Sequence, residues 1–306
     1  MIFRYEYQGG VWVDLEQPSE EEIRQVAHEF SIGERIEKEL ISPTPTALVA
    51  SDAGSALLVL HFPAHGAENG EPGSQEIDFV VGSHFILTVR YEIVAPLYNL
   101  KKLFETQKIV APNTLITADV LFEILFVHLY TSVRDHINHV VDHLSRIERD
   151  MFDGSERTTV RAISSTSREF LHMEAALANQ EEPLQRFLSA LTQHDFFNAS
   201  FAERIEHILT ERTQVARLVN THRAVASELR ETNIALLEAR QNEIMKTLTT
   251  MTVLVLPLEL IAFIFGMHLP GTPLEGDPNA FLIVMAFMLG AVGLLVLYFA
   301  RKRWIF

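Results

Sequence analysis

Apolar residues change their spacing along this chain, and the change divides it into three parts. In residues 1–110 they form short runs that are typical of β-strands. These runs are Phe3–Tyr7, Val11–Leu15, Ala56–Phe62, Ile77–Val81 and Phe85–Arg90. Helical patterns lie between them. We therefore predict a layered domain of helices and strands in this part of the chain.

One helix in this first part has a recognisable start. The segment Ser19–Phe30 has a helical pattern, and Ser19 followed by Glu22 matches the capping box that satisfies backbone N–H groups at a helix N-terminus. The segment Glu68–Ser74 is rich in glycine and polar residues, so it predicts a turn between two strands.

From about Thr114 onward the pattern is almost wholly helical. Three long helices are predicted: Asp119–Phe152, then a helix from near Ser155 to near Asn179, ending before Pro183, and then a helix from near Ala199. The third meets no glycine or proline before Pro257. A helix of that length extends about 85–90 Å at 1.5 Å per residue. It is too long for a compact domain, so we expect a stalk that runs from the cytoplasm into a membrane.

Two apolar segments near the C-terminus have the length of membrane spans. Leu248–Met267 and Phe281–Ala300 each match the roughly 20 residues that cross a bilayer core. The second carries no charge, whereas the first contains Pro257 and Glu259. A buried hairpin in a soluble protein is the alternative, but the basic flanks favour a membrane hairpin.

The distribution of basic residues predicts the orientation of this hairpin. Lys246 precedes the first span and Arg301–Arg303 follow the second, while the loop 268–280 has no lysine or arginine. The positive-inside rule then places both termini in the cytoplasm. Tyr298 and Trp304 suit a membrane interface. The predicted domains are residues 1–113 (α/β), 114–246 (helical stalk or funnel) and 247–306 (transmembrane).

Charge and composition exclude several function classes. The net charge is −15, and its whole excess lies in residues 1–246 because the acids and bases of residues 247–306 balance. An acidic body repels nucleic acid and attracts cations, although plain solubility would also explain it. The absence of cysteine excludes disulfides and thiolate chemistry. No phosphate-binding loop, nucleophile elbow or zinc-protease motif is present, so we expect that the protein is not an enzyme. The N-terminus does not resemble a signal peptide.

The predicted stalk helix carries a polar stripe. Alternating steps of three and four residues connect Thr221, Ala224, Glu228, Glu231, Ala235, Glu238, Asn242, Met245, Thr249, Thr252, Leu256, Glu259, Phe263 and Gly266. A repeat of about 3.5 residues keeps one helix face toward the axis of a bundle. Four of the five glutamates between Thr221 and Glu259 lie on this stripe, and all four lysines and arginines lie off it.

We interpret this stripe as the lining of a water-filled axis between several copies of the chain. Glu228, Glu231 and Glu238 would form an acidic funnel that concentrates cations. The oxygens of Asn242, Thr249 and Thr252 could replace part of an ion's hydration shell, with Met245, Leu256 and Phe263 lining the pore. Ordinary polar contacts on a solvated helix face would give the same pattern.

Glu259 favours the pore interpretation. A carboxylate near the middle of a membrane costs roughly 2.5–3.5 kcal/mol, and such residues usually face a cavity or an ion pathway. A protonated Glu259 bonded to a neighbouring helix is the alternative.

The sequence around the first span resembles the CorA family of divalent-cation channels. The matching elements are Asn242, Met245-Lys246, Leu248-Thr249, Pro257-Leu258 and Phe265-Gly266-Met267, together with the two-helix hairpin and the basic tail Arg301-Lys302-Arg303-Trp304. Motif similarity covers about 65 residues, and the order of domains agrees more loosely over the rest.

The resemblance implies an α+β cytoplasmic domain in α/β/α layers, followed by long stalk helices and a two-helix transmembrane hairpin. Five copies would form a funnel-shaped homo-oligomer in the inner membrane, with the first membrane helix lining the pore. The family moves Mg²⁺ down its gradient and one branch moves Zn²⁺, so no cofactor beyond the transported ion is expected. The pore-facing positions implied are Asn242, Met245, Thr249, Leu256, Glu259, Gly266 and Met267.

The chain departs from the family at the outer mouth of the pore. The family signature is Gly-Met-Asn, whereas this chain has Gly266-Met267-His268. An imidazole suits Zn²⁺, Ni²⁺ or Cu²⁺ better than Mg²⁺, and it gains charge as pH falls. Transport of Zn²⁺, Ni²⁺ or Co²⁺, with or without proton coupling, is therefore an alternative, and a non-conducting membrane scaffold is another. Glu275 and Asp277 in the following loop are weaker candidates as electrostatic attractants.

One further group of residues has metal-ligand chemistry. His136, His139 and His143 lie at helical spacing, and His139 with His143 could bind zinc. No third ligand is fixed by a motif, so solvated histidines or contacts between helices are the favoured interpretation.

Overall fold

The computed structural model describes residues 1–52, 54–64, 73–110, 116–153, 156–194, 196–197, 200–267 and 278–301. The chain comprises two compact units, Met1–Arg230 and Glu231–Phe306. Its strands are β1 (Ile2–Tyr7), β2 (Gly10–Glu16), β3 (Leu48–Ser51), β4 (Ser55–Ala64), β5 (Gly73–Gly82) and β6 (Phe85–Arg90). Its helices are α1 (Glu20–Glu29), α2 (Glu34–Leu40), α3 (Ala95–Val110), α4 (Ala118–Phe152), α5 (Glu156–Gln193), α6 (Phe201–Gly266) and α7 (Ala280–Arg301).

The first unit is built on one mixed six-stranded sheet. The strand order is β1-β2-β6-β5-β4-β3, in which β2 and β6 pair in parallel and the other pairs are antiparallel. All five predicted strands are confirmed. The short strand β3 at the sheet edge was not predicted, because four residues give too little alternation to recognise.

Helices cover both faces of this sheet. On one face, alternate residues such as Leu57 and Val59 of β4 pack with α1 and α2 in a single apolar cluster. On the other face, Phe79 stacks on Phe126 of α4 with ring centroids 4.7 Å apart. The period of two along each strand sends successive side chains to opposite faces. The predicted α/β/α layers are therefore confirmed.

The capping box predicted at α1 is present. The Ser19 hydroxyl accepts a hydrogen bond from the Glu22 backbone N–H (3.2 Å), and the Glu22 carboxylate accepts one from the Ser19 backbone N–H (2.9 Å). Ser19 itself has extended backbone geometry, as an N-cap residue should. The predicted turn at 68–74 lies mostly outside the described residues, and its last two residues begin β5.

Two of the three predicted long helices have the expected bounds. Helix α4 ends at Phe152, where Asp153 caps it, and α6 continues without a break from Phe201 through Pro257. The predicted end of the second long helix near Asn179 is wrong, because α5 continues through Pro183 to Gln193. Beyond the proline its residues Leu184, Phe187 and Leu191 are fully buried. Burial of this apolar face compensates for the backbone hydrogen bond that Pro183 cannot make.

The second unit contains the C-terminal part of α6 and the whole of α7. Both helices are long and apolar enough to cross a membrane, and almost none of the residues in their apolar stretches is fully buried in the isolated chain. A soluble protein does not leave two such helices uncovered, so the exposure agrees with a membrane hairpin. The division of the chain at residues 113 and 246 remains a prediction.

Candidate functional site

Every described member of the predicted pore stripe is exposed on α6. Leu256 is 58% exposed and Phe263 is 72% exposed, values that a soluble protein would not tolerate in a row. The other exposed members are Asn242, Met245, Thr249, Thr252, Glu259, Gly266 and Met267. They therefore need another partner, whether water, lipid or a second chain.

The opposite face of α6 is partly covered. Six residues of the membrane segment are buried or half-buried: Thr250, Leu254, Pro257, Leu258, Ile261 and Phe265. On α7 the covered residues are Val284, Met288, Ala291, Val292, Leu295 and Phe299. Both sets follow helical steps of three and four, and α6 and α7 are the helices of this unit. We infer that these two faces pack against each other.

The polar stripe and the covered face lie on opposite sides of α6. At 100° per residue, the stripe positions from Thr249 to Gly266 centre about 180° from the positions that are covered. If α7 packs against the covered face, the stripe points away from the hairpin. Helix α6 then has one face for packing within the chain and an opposite, polar face that is left for water, ions or another copy of the chain.

Two threonines in the membrane segment of α6 use their hydroxyl hydrogens within the helix. Thr252 donates to the Leu248 carbonyl (2.9 Å), and Thr250 on the covered face donates to the Lys246 carbonyl (2.8 Å). A hydroxyl that donates backward keeps oxygen lone pairs directed away from the helix. At Thr252 these lone pairs lie on the stripe, where they could coordinate a cation or accept a hydrogen bond from a water molecule.

The acidic part of the stripe is also exposed. Glu228, Glu231 and Glu238 face solvent, whereas Leu229 and Asn233 between them are buried. Within the described part of the chain, none of these three carboxylates forms a salt bridge. Their negative charge is therefore not neutralised by a neighbouring base on the same helix, and they can act on mobile ions.

Some predicted site residues cannot be placed. His268, Glu275 and Asp277 lie outside the described residues. The assignment of Asn242, Thr249, Thr252, Glu259, Gly266, Met267 and His268 as metal-contacting residues remains a prediction.

The three helical histidines of α4 have separate environments. His136 is buried, and its Nε2 lies 2.8 Å from Glu169 Oε1 on α5, whereas His139 and His143 are exposed. The hydrogen bond with His136 is the main cause that lowers the pKa of Glu169. Among the described residues, no group of three or more histidines and acids has metal-binding geometry.

The sequence did not reveal an ionic cluster that joins α4 to α6. Glu123 on α4 accepts from Arg204 of α6 (2.5 Å) and contacts His207, while Arg134 of α4 pairs with Glu211 of α6 (2.6 Å). Each helix carries its members at steps of three, four or more, a spacing that many solvated helix faces share. Only the packing of the two helices shows that the two sets meet.

Comparisons with known proteins agree on one family. A family model described as CorA-like Mg²⁺ transporter protein matches residues 7–303. The cobalt/magnesium transport protein CorA of Methanocaldococcus jannaschii is 21% identical over 303 residues, covering 96% of this chain and 91% of that protein.

Solved structures show the same architecture. The complete CorA magnesium transporter from Methanocaldococcus jannaschii superposes with a TM-score of 0.83 at 20% identity, covering 97% of this chain and 92% of that one. The cytoplasmic domain of ZntB from Vibrio parahaemolyticus gives a TM-score of 0.57 at 10% identity, covering 76% and 89%. At these identities the likeness establishes the fold: a layered domain, long helices and a C-terminal hairpin.

Proposed function

This chain belongs to the CorA-like Mg²⁺ transporter family, and from that premise we propose that it conducts divalent cations across a membrane, with Mg²⁺ as the first candidate. The ions move down their electrochemical gradient through a central pore. The proposal includes no catalysed reaction and no resident cofactor, because the cation is the cargo.

One observation carries this proposal: the polar stripe of α6 lies opposite the face of the same helix that is partly covered. Several copies arranged around an axis would turn Asn242, Thr249, Thr252 and Glu259 toward shared water. In the same arrangement α7 would lie outside α6 and contact lipid. A charged residue such as Glu259 is then kept out of hydrocarbon, which removes most of its insertion cost.

We further propose that five copies form the pore, as the family resemblance implies. Both termini lie in the cytoplasm and the hairpin crosses the cell inner membrane. The acidic residues 1–246 gather cations at the cytoplasmic mouth and disfavour nucleic acid as a partner.

The chemistry of the stripe suits a hard cation that keeps its water. Mg²⁺ dehydrates reluctantly and prefers oxygen ligands, which amide, hydroxyl and carboxylate groups supply. Asn242 and the two threonines present neutral oxygens, so they can bind hydration water without holding the ion too tightly. Rapid passage requires such weak binding at several sites.

A second candidate, transport of Zn²⁺, Ni²⁺ or Co²⁺, is favoured by one residue. His268 stands where the family signature has asparagine, and imidazole is a better ligand for these borderline metals than for Mg²⁺. The protein would then select these metals over Mg²⁺ at the outer mouth of the pore, and their transport would be coupled to protons or independent of them.

A flux assay in liposomes tests both candidates. Purified full-length protein is reconstituted, and uptake of Mg²⁺, Co²⁺, Ni²⁺ and Zn²⁺ is compared with and without a pH gradient. We expect Mg²⁺ uptake that Glu259→Gln reduces and that Glu243→Gln, a glutamate of the same helix off the stripe, leaves unchanged. Absence of metal-dependent flux in the wild type would support the non-conducting scaffold and overturn the proposal.

The same assay separates the two metal classes. If His268→Asn shifts preference from Zn²⁺ or Ni²⁺ toward Mg²⁺, the second candidate describes the wild-type protein. If the wild type and His268→Asn both prefer Mg²⁺, the first candidate holds and the histidine does not select the ion.

A further inference from the structure

The N-terminal half of α4 and the first turns of α6 are joined by an ionic cluster that the transport proposal does not use. It contains three carboxylates, two guanidinium groups and one imidazole. The members are Asp119, Glu123 and Arg134 on α4, and Arg204, His207 and Glu211 on α6.

The arginines of the cluster make direct ion pairs. Arg204 lies 2.5 Å from Glu123 and 3.7 Å from Asp119, and Arg134 lies 2.6 Å from Glu211. Asp119 also accepts a hydrogen bond from the Ser200 hydroxyl (3.1 Å). These contacts cross from one helix to the other, so the cluster attaches the first turns of α6 to α4.

His207 lies between two of the carboxylates. Its Nδ1 contacts Glu123, and its Nε2 lies 3.9 Å from Glu211 Oε1. A protonated imidazole carries a hydrogen on each nitrogen, so each nitrogen can face a carboxylate with an N–H group. A neutral imidazole carries one hydrogen, so its second nitrogen would present a lone pair to a carboxylate.

The charge of the cluster balances in only one protonation state. The side chains of Asp119, Glu123 and Glu211 are 4%, 12% and 15% exposed, whereas His207 is 50% exposed. Carboxylates removed from water need hydrogen bonds or compensating positive charge, and Asp119 already accepts a hydrogen bond from Ser200. Two arginines supply two charges, and only a protonated His207 supplies the third.

Other charges near this interface are already paired or solvated. Helix α5 meets α6 through two ion pairs of its own, Arg212 with Glu181 (2.9 Å) and Arg223 with Glu174 (2.5 Å). On α6, Glu203 and Glu206 flank the cluster and are exposed to water. These two carboxylates add negative charge around the cluster.

We propose that His207 is a proton-binding site that regulates the attachment of α6 to α4. Protonation completes the ionic cluster and holds the first turns of α6 against α4, whereas loss of the proton leaves a surplus carboxylate and loosens them. Histidine is the side chain whose charge ordinarily changes between about pH 5 and 8, a range that includes neutral pH.

This attachment bears on transport because α6 is one continuous helix from Phe201 to Gly266. The same element carries His207 and the polar stripe. The regulatory consequence rests on the proposed transport function: protons on the cytoplasmic side would alter the rate of cation flux.

The absence of cysteine from the chain allows a direct structural test. Thr210, exposed three residues beyond His207 on α6, is replaced by cysteine and spin-labelled in the full-length protein in lipid vesicles. We expect label mobility to increase from pH 6 to pH 8. His207→Arg, which keeps its charge, should give low mobility at both pH values, and His207→Gln should give high mobility at both.

Metal flux is measured in parallel with the same variants. Wild-type flux should differ at least about fivefold between pH 6 and pH 8, the lower range of typical coupling between two sites. His207→Arg should stay at the wild-type pH 6 rate and His207→Gln at the pH 8 rate. His28→Gln, which removes an exposed histidine of α1, should behave as wild type.

The outcomes separate the two proposals. If label mobility responds to pH equally in the wild type and in both His207 variants, the proton site is wrong whatever the flux. If mobility follows His207 but wild-type flux is the same at both pH values, the regulatory role is wrong. If no variant shows metal flux, the transport proposal fails while the label still tests the site. Helical circular dichroism verifies folding, and His207→Arg alone carries the test if His207→Gln does not fold.

Discussion

At the residue scale, hydrogen-bond geometry identifies a buried acid that holds its proton. Tyr91 Oη lies 2.9 Å from both the Leu40 carbonyl and Asp78 Oδ2. A hydroxyl has one hydrogen, so it cannot donate to both. If Asp78 is protonated it donates to Tyr91, which then donates to Leu40. Burial is the first cause that raises the pKa of Asp78 well above its usual value, and the charge of Glu76 adds to it.

The first prediction concerns Asp78→Asn. A carboxyl whose folded pKa is raised contributes stability that is present below its unfolded pKa, about 3.9, and that is lost as pH rises through the folded value. Asparagine has no charge to bury, so the variant should gain about 1–3 kcal/mol relative to wild type between pH 5 and pH 8. Unfolding of the full-length protein in detergent at several pH values measures this. A constant difference between the two proteins across that range would contradict it.

Glu76, two residues away on β5, has the opposite behaviour. Burial alone would raise the pKa of Glu76, but hydrogen bonds from His61 and from Thr44 lower it below its ordinary value. The Thr44 backbone N–H lies 2.8 Å from one carboxylate oxygen, and the Thr44 hydroxyl lies 3.0 Å from the same oxygen. The ionised form of Glu76 therefore stabilises the loop before β3.

The second prediction is that Glu76→Gln destabilises the protein at neutral pH by about 1–3 kcal/mol. A lowered folded pKa gives stability that is present above the unfolded pKa and lost as pH falls through the folded value. The deficit of the variant should therefore shrink in acid. Glu6→Gln, an exposed position on β1, is the control and should change little. An equal deficit in acid and at neutral pH would show that charge is not the cause.

At the element scale, the sequence predicted structure wherever one residue period was sustained. The five short β-like runs became strands, and the unbroken helical pattern before Pro257 became α6. Strand β3 was too short to show a period. Helix α5 continued past Pro183 because its apolar face, buried through Leu191, outweighs a local backbone defect. That burial depends on β4 and α4, which no local pattern specifies.

The candidate site was predictable to a similar extent. The stripe was found because one helix contains all of it, and the structure adds that the covered face lies opposite. The cluster around His207 was not found, because its members come from two helices separated by about 80 residues in sequence. Their spacing on each helix is ordinary, and only packing brings them together.

The third prediction tests the element that the sequence misjudged. Pro183→Ala restores the backbone N–H that can bond to the Asn179 carbonyl, so α5 should be stabilised by about 1–3 kcal/mol. The melting temperature should rise, whereas Gln185→Ala at an exposed position in the same turn should leave it almost unchanged. A fall in melting temperature for Pro183→Ala would mean that the proline fits a bend that α5 requires.

At the scale of the whole molecule, the isolated chain is incomplete. Its two apolar helices are largely uncovered, and its polar stripe lies opposite the partly covered face of α6. Neither lipid alone nor water alone suits a helix with both kinds of surface. Self-association around a water-filled axis suits both surfaces, because the polar stripe then contacts water and the outer apolar faces contact lipid.

The fourth prediction is the mass of the assembly. In mild detergent, light scattering corrected for bound detergent should give five times the 34.7 kDa of one chain. Native mass measurement of protein extracted directly in lipid particles provides the control against detergent effects. A monomer under both conditions would contradict the pore.

The central claim, that one face of α6 lines water within the membrane, is tested most directly by single-cysteine accessibility in lipid vesicles. The chain has no native cysteine, so each substitution reports one position. Cysteines at the stripe positions Thr249, Thr252 and Glu259 should react with a membrane-impermeant thiol reagent, and divalent cations should slow that reaction. Cysteines at Leu254 and Ile261 on the covered face should not react. Protection of all five positions, or equal reaction at both faces, would contradict the account.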